Sequence, residues 1–162
     1  MIRAFLIGLV AGQRSMMPLA VLAGAARRGT LPHDNGPARL MAVPLFTAGG
    51  VALAALEMAG DKMKSAPDRT VFLGLLARTI TAGFSGAALA PGKRPLAGAT
   101  LAIGAAVASS FAGLAARKWA MRRWGQTATG FAEDAIMLAA GSAIVNAAVP
   151  GQPATVPEPV RR

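Results

Sequence analysis

Charged side chains inside long apolar stretches are the residues of this chain whose types and positions point to chemistry. Arg14 lies within an apolar run from Ala4 to Ala26, and Pro18 follows four residues later. An arginine at bilayer depth costs about 3 kcal/mol even on the gentlest insertion scales, so it is expected to face protein or water and to have a partner. The chain offers four suitable carboxylates: Glu57, Asp61, Glu133 and Asp134. The sequence therefore predicts a buried arginine–carboxylate cluster.

A second arginine, Arg78, lies in the middle of another apolar run. Its neighbours one helical turn away include Thr81 and Ala82, so that face is small and polar and is expected to turn toward other helices. We expect Arg14 and Arg78 each to lie within one water of a carboxylate. The complete candidate set for solute binding or ion pairing is Arg14, Ser15, Glu57, Asp61, Arg69, Arg78, Glu133 and Asp134.

The proline also suggests what such a cluster would bind. Pro18 has no N–H and its ring crowds the carbonyl of Arg14, so the helix should kink or break there. A break leaves a new half-helix N-terminus at residues 15–17, with Ser15 as its cap, and free N–H groups there favour an anion. If Glu57 and Glu133 are not paired with Arg78 or with the loop lysines, they would instead carry protons or bind a cation. We prefer the anionic guest by a small margin.

Each of these residues also has an interpretation without a ligand. Glu133 and Asp134 would suit the first turn of a helix, where the dipole favours carboxylates. Arg14 would snorkel if it were near a helix end. Buried arginine–carboxylate pairs can also be purely structural and fix helix register. The sequence contains no cysteine, no Gly-x-Ser-x-Gly and no phosphate-binding loop, so we predict no catalytic residue, no metal and no cofactor.

The elements that position these residues are long apolar segments. Only 15% of the 162 residues are charged and 54% are hydrophobic, whereas soluble domains have about 25% charged residues. We predict an all-α transmembrane bundle of four to five spans, forming one domain over residues 1–149, with a disordered proline-rich tail over 150–162. The first segment is either one kinked span or two half-helices that enter and leave on one side. The five segments are 4–26, 40–59, 71–90, 96–116 and 131–149.

The fourth segment carries small residues at helical spacing, which favour close backbone approach in lipid. They are Gly98, Ala102, Ala105, Ser109 and Gly113. The stretch that follows, 117–124, interleaves basic residues with two tryptophans, which is typical of the headgroup zone.

Basic residues are spread through the connections between apolar runs. That distribution suits charges that flank a membrane and argues against nucleic-acid binding, despite a net charge of +10. Five spans would place eight basic residues on one side and seven on the other. The dense group at 117–123 favours a cytoplasmic location for that side and for the amino terminus. In the hairpin alternative Arg3 changes sides. The near balance also permits an antiparallel homodimer.

Several of these motifs resemble those of a family of small bacterial integral membrane proteins classed as domain of unknown function 4126. The segment 12–20, Gly-Gln-Arg-Ser-Met-Met-Pro-Leu-Ala, is similar to that family's Gly-x-Arg-Ser-x-x-Pro-Leu-Ala opening. Residues 57–62 and 67–70 resemble its Glu-x-x-x-Asp-Lys and Pro-x-Arg-Thr motifs, and Glu133-Asp134 resembles its late acidic pair. Arg78 followed by Gly83 and Gly86 is similar to its Arg-x-x-x-Gly pattern at a looser spacing. The resemblance implies a multi-pass protein of the bacterial inner membrane and implies no activity.

Three functions remain open from the sequence. We expect first a small transporter or channel for an ion or anionic solute. The second alternative is a structural or lipid-organising membrane protein whose charged cluster only locks helices, and the third is a membrane enzyme. Access of water to the cluster separates the first two, because a channel or carrier needs a wetted path.

Overall fold

The chain folds into helices throughout the part that the structure describes. The computed structural model describes residues 1–31, 35–60, 72–92 and 94–147, and these ranges contain no strand. The all-α prediction is therefore confirmed for these ranges. Their helices are α1 Ile2–Gln13, α2 Met17–Arg27, α3 Gly36–Met41, α4 Pro44–Gly60, α5 Phe72–Leu89, α6 Pro95–Trp124 and α7 Gln126–Asn146.

Three of these helices, α5, α6 and α7, are long and apolar enough to cross a membrane. Helices α1, α2 and α4 are apolar but shorter. Large hydrophobic side chains such as Leu45, Leu96 and Phe72 are exposed on the outer faces. Exposed apolar faces of this kind are compatible with a lipid environment.

The first apolar segment is broken where Arg14 and Pro18 predict it. α1 ends at Gln13, and Arg14 adopts an extended conformation with φ −136° and ψ 104°. α2 then begins at Met17, and Pro18 occupies its first turn. Proline is tolerated there because the N–H groups of a first turn have no intrahelical acceptor.

The two halves of this segment form a hairpin. Arg3, at the start of α1, donates from Nε to the carbonyl of Ile144 at 3.0 Å. Arg28, at the end of α2, donates to Oδ1 of Asn146 at 3.1 Å, so both outer ends lie at the same end of α7. The turn between them lies farther back along α7, where Arg14 contacts Asp134. Of the two alternatives from the sequence, the structure has the pair of half-helices.

The hairpin determines where the amino terminus lies along α7. Arg3 lies beside the C-terminal end of α7, whereas the basic group at 117–123 precedes the N-terminal end of that helix. The two lie at opposite ends of α7, as expected for the hairpin alternative, in which Arg3 changes sides. The physical reason is the break, which reverses the chain direction before the first loop.

Glycine contacts bring α1, α5 and α6 together. A Cβ at Gly8 would overlap the backbone of Ala102, and one at Gly86 would overlap the backbone of Gly98. A Cβ at Gly113 would overlap the side-chain amide of Gln13. The small-residue face predicted for the fourth segment therefore packs closely against α1 and α5.

The boundaries of the last two segments differ from the predicted ones. α6 does not end at Ala116 but continues as helix through the basic stretch to Trp124. Alanine, arginine, lysine and methionine favour helix, and no glycine or proline intervenes before Gly125. Gly125 has φ +80°, a conformation that favours glycine, and α7 begins directly after it at Gln126 rather than at Phe131.

The second predicted segment is also divided. Residues 40 and 41 belong to the short α3, and α4 begins at Pro44. A proline at the first position of a helix needs no N–H partner, whereas within a helix its ring would crowd Leu40. The predicted third segment contains α5. Asp61, Arg69 and the tail from 150 to 162 lie outside the described residues.

Candidate functional site

Arg14 is the centre of the charged cluster. Its side chain is fully buried at the turn between α1 and α2. Nη2 lies 2.9 Å from Oδ1 of Asp134 and 3.7 Å from Oε2 of Glu133, and it also donates to the carbonyl of Gly130 at 3.4 Å. The extended backbone of Arg14 directs the side chain away from α1 toward α7. The prediction that Arg14 lies near a carboxylate agrees with this geometry, and the snorkelling interpretation does not.

Glu133 connects this pair to a third helix. Its Oε2 lies 3.1 Å from Nη1 of Arg117 on α6 and accepts a hydrogen bond from it. Glu133 and Asp134 are the eighth and ninth residues of α7, because that helix begins at Gln126. The helix dipole acts within the first turn, so it does not account for either carboxylate. Their partners are the two arginines instead.

Glu57 occupies the break itself. Its Oε1 accepts hydrogen bonds from the backbone N–H of Ser15 at 2.8 Å and from the Ser15 hydroxyl at 2.5 Å. Its Oε2 accepts from the backbone N–H of Met16 at 2.8 Å. Met16, not Ser15, is the N-cap of α2, and its side chain makes no capping bond. The prediction of Ser15 as the cap is wrong, because its hydroxyl donates to Glu57 instead of accepting from the helix.

This carboxylate fills the anion position that the broken helix predicts. Backbone N–H groups before a helix, with the positive end of its dipole, favour a negative group. Glu57 reaches them from α4, which packs against α2 and brings Gly50 close to Leu19. The resident anion at the break is therefore a side chain of this protein.

Arg78 lies on the other side of the hairpin turn, in the interior of the bundle. Its side chain is buried, and Nε donates to the carbonyl of Gly12 at 3.2 Å while Nη1 donates to the carbonyl of Gly74 at 2.9 Å. Ser110 of α6 also donates to the Gly12 carbonyl, at 3.1 Å. Arg78 thus satisfies a carbonyl near the end of α1, where the last turns of a helix leave acceptors without intrahelical donors.

An apolar cleft leads from the surface to the cluster. It lies between α6 and α7 and has a volume of about 580 Å³. A separate apolar groove of about 470 Å³ lies against α2, α4 and α5, and among the described residues no charged side chain lines it. The polar lining of the α6–α7 cleft consists of Gln13, Arg117, Thr129 and Glu133, and the rest of its wall is apolar or small. The exposed fractions are 14% for the Glu133 side chain and 1% for that of Arg14. The cleft therefore ends on Glu133 and Arg117, with Arg14 behind them.

The ion pairs of the site join Arg14 and Arg117 to Glu133 and Asp134. Glu57 accepts from the hairpin turn, and the described bonds of Arg78 go to backbone carbonyls, so no described carboxylate is shown beside Arg78. Within the described residues no group of histidine, cysteine or carboxylate side chains is arranged to hold a metal ion.

Sequence reasoning missed Arg117 and Gln13. Arg117 belongs to the stretch assigned to the headgroup zone, and only the continuation of α6 places it opposite Glu133. The available signal was its spacing: Gly113 and Arg117 lie four residues apart on one helix face, next to the predicted small-residue face. Gln13 donates to the carbonyl of Ser109 at 2.6 Å, a contact that no sequence pattern indicates.

Comparison with known proteins adds no relative. No family model, no curated protein and no solved structure matches this chain. The resemblance of its motifs to the family of small bacterial membrane proteins therefore stays a prediction.

Proposed function

We propose that the chain is a four-span membrane protein with a re-entrant hairpin. α4, α5, α6 and α7 would be the spans, with α1 and α2 entering and leaving on one side. At 1.5 Å per residue α1 and α2, with 12 and 11 residues, are about 18 Å and 17 Å long. Neither reaches across a hydrocarbon core of about 30 Å, whereas a returning pair needs only part of that depth. Buried polar backbone at the turn is compatible with membrane depth because protein surrounds it.

We further propose that this protein is a small transporter or channel for an ion or an anionic solute. The observation that carries this proposal is the α6–α7 cleft, which ends on the Arg117–Glu133 pair. Glu133 is shared with the buried Arg14, so a guest at the end of the cleft would compete directly with the ion pairs of the cluster. Intramembrane charges that line a path are typical of ion and substrate routes.

The cluster would work as a set of exchangeable ion pairs. An anion that reaches Arg117 would weaken its contact with Glu133, which still has Arg14 within 3.7 Å. The hairpin closes the opposite end, so that passage would require the turn at residues 14–16 to move. Release of Glu57 from the N–H groups of Ser15 and Met16 would open a second anion position there. A proton on Glu57 would favour that release, which is the proton-coupled alternative.

A structural role is the second candidate, and one observation favours it. Glu57 already satisfies three donors at the break, so the hairpin is complete without a guest. In this alternative the charged cluster only locks α1, α2, α4 and α7 together. The third alternative, a membrane enzyme, stays a prediction from the sequence.

Location in the bacterial cytoplasmic membrane is also a proposal, and it rests on the motif resemblance and the apolar helices. With the hairpin, Arg3 joins the other side, and the basic residues divide seven against eight. The balance stays nearly even, so the antiparallel homodimer remains a prediction.

Flux in proteoliposomes tests the transport proposal. Purified protein would be reconstituted in vesicles with a pH gradient, and the movement of protons, chloride and small carboxylates would be followed. We expect flux above empty vesicles, with a large loss in Arg14→Ala and in Glu133→Gln and an altered pH dependence in Glu57→Gln. Arg39→Ala is the matched control, because Arg39 is exposed on α3 and does not line the cleft.

Folding must be separated from function in this assay. Each variant would be checked for helix content and for a single size-exclusion peak before reconstitution. Glu133→Gln preserves shape and so serves if Arg14→Ala does not fold. If well-folded wild-type protein moves none of the ions faster than empty vesicles, the structural role replaces the transport proposal.

A further inference from the structure

The cleft between α6 and α7 has walls that do not suit a bare ion. One helix face of α7 lines it with Ala132, Ile136 and Met137, and α6 contributes Gly113, Ala116 and other small residues. Small residues in membrane helices normally bring two backbones into contact. Here Gly113 packs against Gln13 of α1, but α6 and α7 contact each other only sparsely although Gly125 alone connects them. Ala116 and Ala120 therefore border open volume between these two helices.

That volume is suited to an alkyl chain rather than to water. A water molecule in a cavity needs two to four polar partners, and apolar cavities stay dry. Among the described lining residues the polar groups are the side chains of Gln13, Arg117, Thr129 and Glu133 and the indole N–H of Trp124, and the other lining side chains are apolar. The remaining wall would lose dispersion contacts if it faced a void. A slender apolar chain in the cleft would provide these dispersion contacts.

The charge around the cleft determines the sign of the headgroup. Of the four basic residues in the last two turns of α6, Arg117 lines the cleft and is paired with Glu133. Lys118, Arg122 and Arg123 lie in the same two turns, so the end of α6 beside the cleft forms a positive rim.

Two tryptophans place this rim at the level of lipid headgroups. The rings of Trp119 and Trp124 pack edge to face with centroids 5.4 Å apart, and Trp124 lines the cleft. Tryptophan is enriched at the membrane–water interface. A headgroup at the rim and an alkyl chain along the wall therefore occupy their natural depths.

We propose that the α6–α7 cleft binds an anionic membrane lipid, with its phosphate at the basic end of α6 and one acyl chain against the small-residue wall. This inference rests on the proposed function, because it names the guest whose headgroup approaches the Arg117–Glu133 pair. The substrate class of that site is then an anionic amphiphile instead of a small inorganic ion.

The test compares two neighbouring alanines. Ala116 lines the cleft, whereas Ala115 is exposed on α6 and does not line it. Ala116→Phe fills the room of at least two methylene groups, so we expect about a tenfold weaker affinity for phosphatidylglycerol. Ala115→Phe should bind like wild type. Affinity would be measured by native mass spectrometry and by the rise in melting temperature of the full chain in detergent.

The headgroup is tested in the same assay. The double variant Arg122→Ala with Arg123→Ala should lose the preference for phosphatidylglycerol over phosphatidylcholine while retaining the fold. Glycerol phosphate and inorganic phosphate, which lack the chain, should give no shift. Equal binding of both lipids by the wild type, or a full shift with phosphate alone, would overturn the inference.

Other results separate this inference from the transport proposal. If Ala116→Phe binds phosphatidylglycerol as wild type does, the lipid site is wrong even where Arg14-dependent flux of small ions persists. If the cleft binds lipid but no variant alters flux of any ion or lipid, the transport proposal fails and the lipid site stands. A lipid-independent dimer that Ala116→Phe disrupts would show that a second copy fills the cleft, which also overturns the inference.

Discussion

The pair formed by Arg14 and Asp134 offers the sharpest test of the buried cluster. Nη2 and Oδ1 are 2.9 Å apart, and the side chains are 1% and 10% exposed. Two unit charges at this distance attract each other by about 6 kcal/mol at an effective dielectric constant of about 20. Because desolvation opposes this attraction, we expect Arg14→Met to lower the free energy of unfolding by about 3–5 kcal/mol, the usual effect of leaving one buried charge behind.

The double variant tests whether the side chains of Arg14 and Asp134 are in direct contact. Asp134→Leu alone should also be strongly destabilising, because it leaves Arg14 with Glu133 at 3.7 Å. Arg14→Met with Asp134→Leu should lose no more than either single variant, since Glu133 retains Arg117 at 3.1 Å. The expected coupling energy is therefore at least about 3 kcal/mol, the cost of the more destabilising single variant.

Reversible unfolding in mixed micelles of a mild detergent and dodecyl sulfate would give these free energies. Arg123→Met combined with Asp134→Leu is the control cycle, because Arg123 is exposed, and its effects should add. If the Arg14 cycle is also additive within about 0.5 kcal/mol, the ion pair does not exist in solution and the description of the cluster is wrong.

Two further substitutions test the break and the packing. Glu57→Gln replaces an acceptor oxygen by a donor that faces the backbone N–H groups, so we expect the free energy of unfolding to fall by about 2–3 kcal/mol. Ser15→Ala loses one hydrogen bond and should lower it by about 1 kcal/mol. Equal effects of the two substitutions would argue against the role of Glu57 as a double acceptor. Gly86→Ala should lower the melting temperature, because the new methyl group would overlap Gly98, and the expected loss of unfolding free energy is about 1–3 kcal/mol. A methyl group at Gly104 meets open space, so Gly104→Ala should leave the melting temperature unchanged or raise it. A similar response of both variants would refute the close contact at Gly86.

The sequence by itself determined the helical class and the place of the break. Lipid offers no hydrogen-bond partners for the backbone of a long apolar run, and a helix satisfies those backbone groups within the segment itself. Pro18 forces an end because it lacks a donor and crowds Arg14, and no tertiary contact can restore that hydrogen bond. The same local logic located the interior face of Arg78 and the small-residue face that starts at Gly98. These features depend on residues within a few turns of each other.

Only the tertiary structure decided the direction of α2 and the partners of the charges. A proline break is compatible with a kink or with a reversal, and the choice depends on contacts of Arg3 and Arg28 with a helix more than 100 residues away. Likewise the sequence offered several carboxylates for Arg14, and long-range packing assigned it Glu133 and Asp134. Coulomb attraction favours every opposite pair, so which pairs form depends on which helices pack together.

The anion position shows both contributions at once. Local chemistry predicted that the break would favour a negative group, because free N–H groups and the dipole converge there. It did not predict that Glu57 would fill the position, since this requires α4 to lie against α2. The role of Arg117 was hidden for a related reason. Whether a basic residue at the end of an apolar run faces water or a carboxylate depends on how far the helix continues, and here it continues to Trp124.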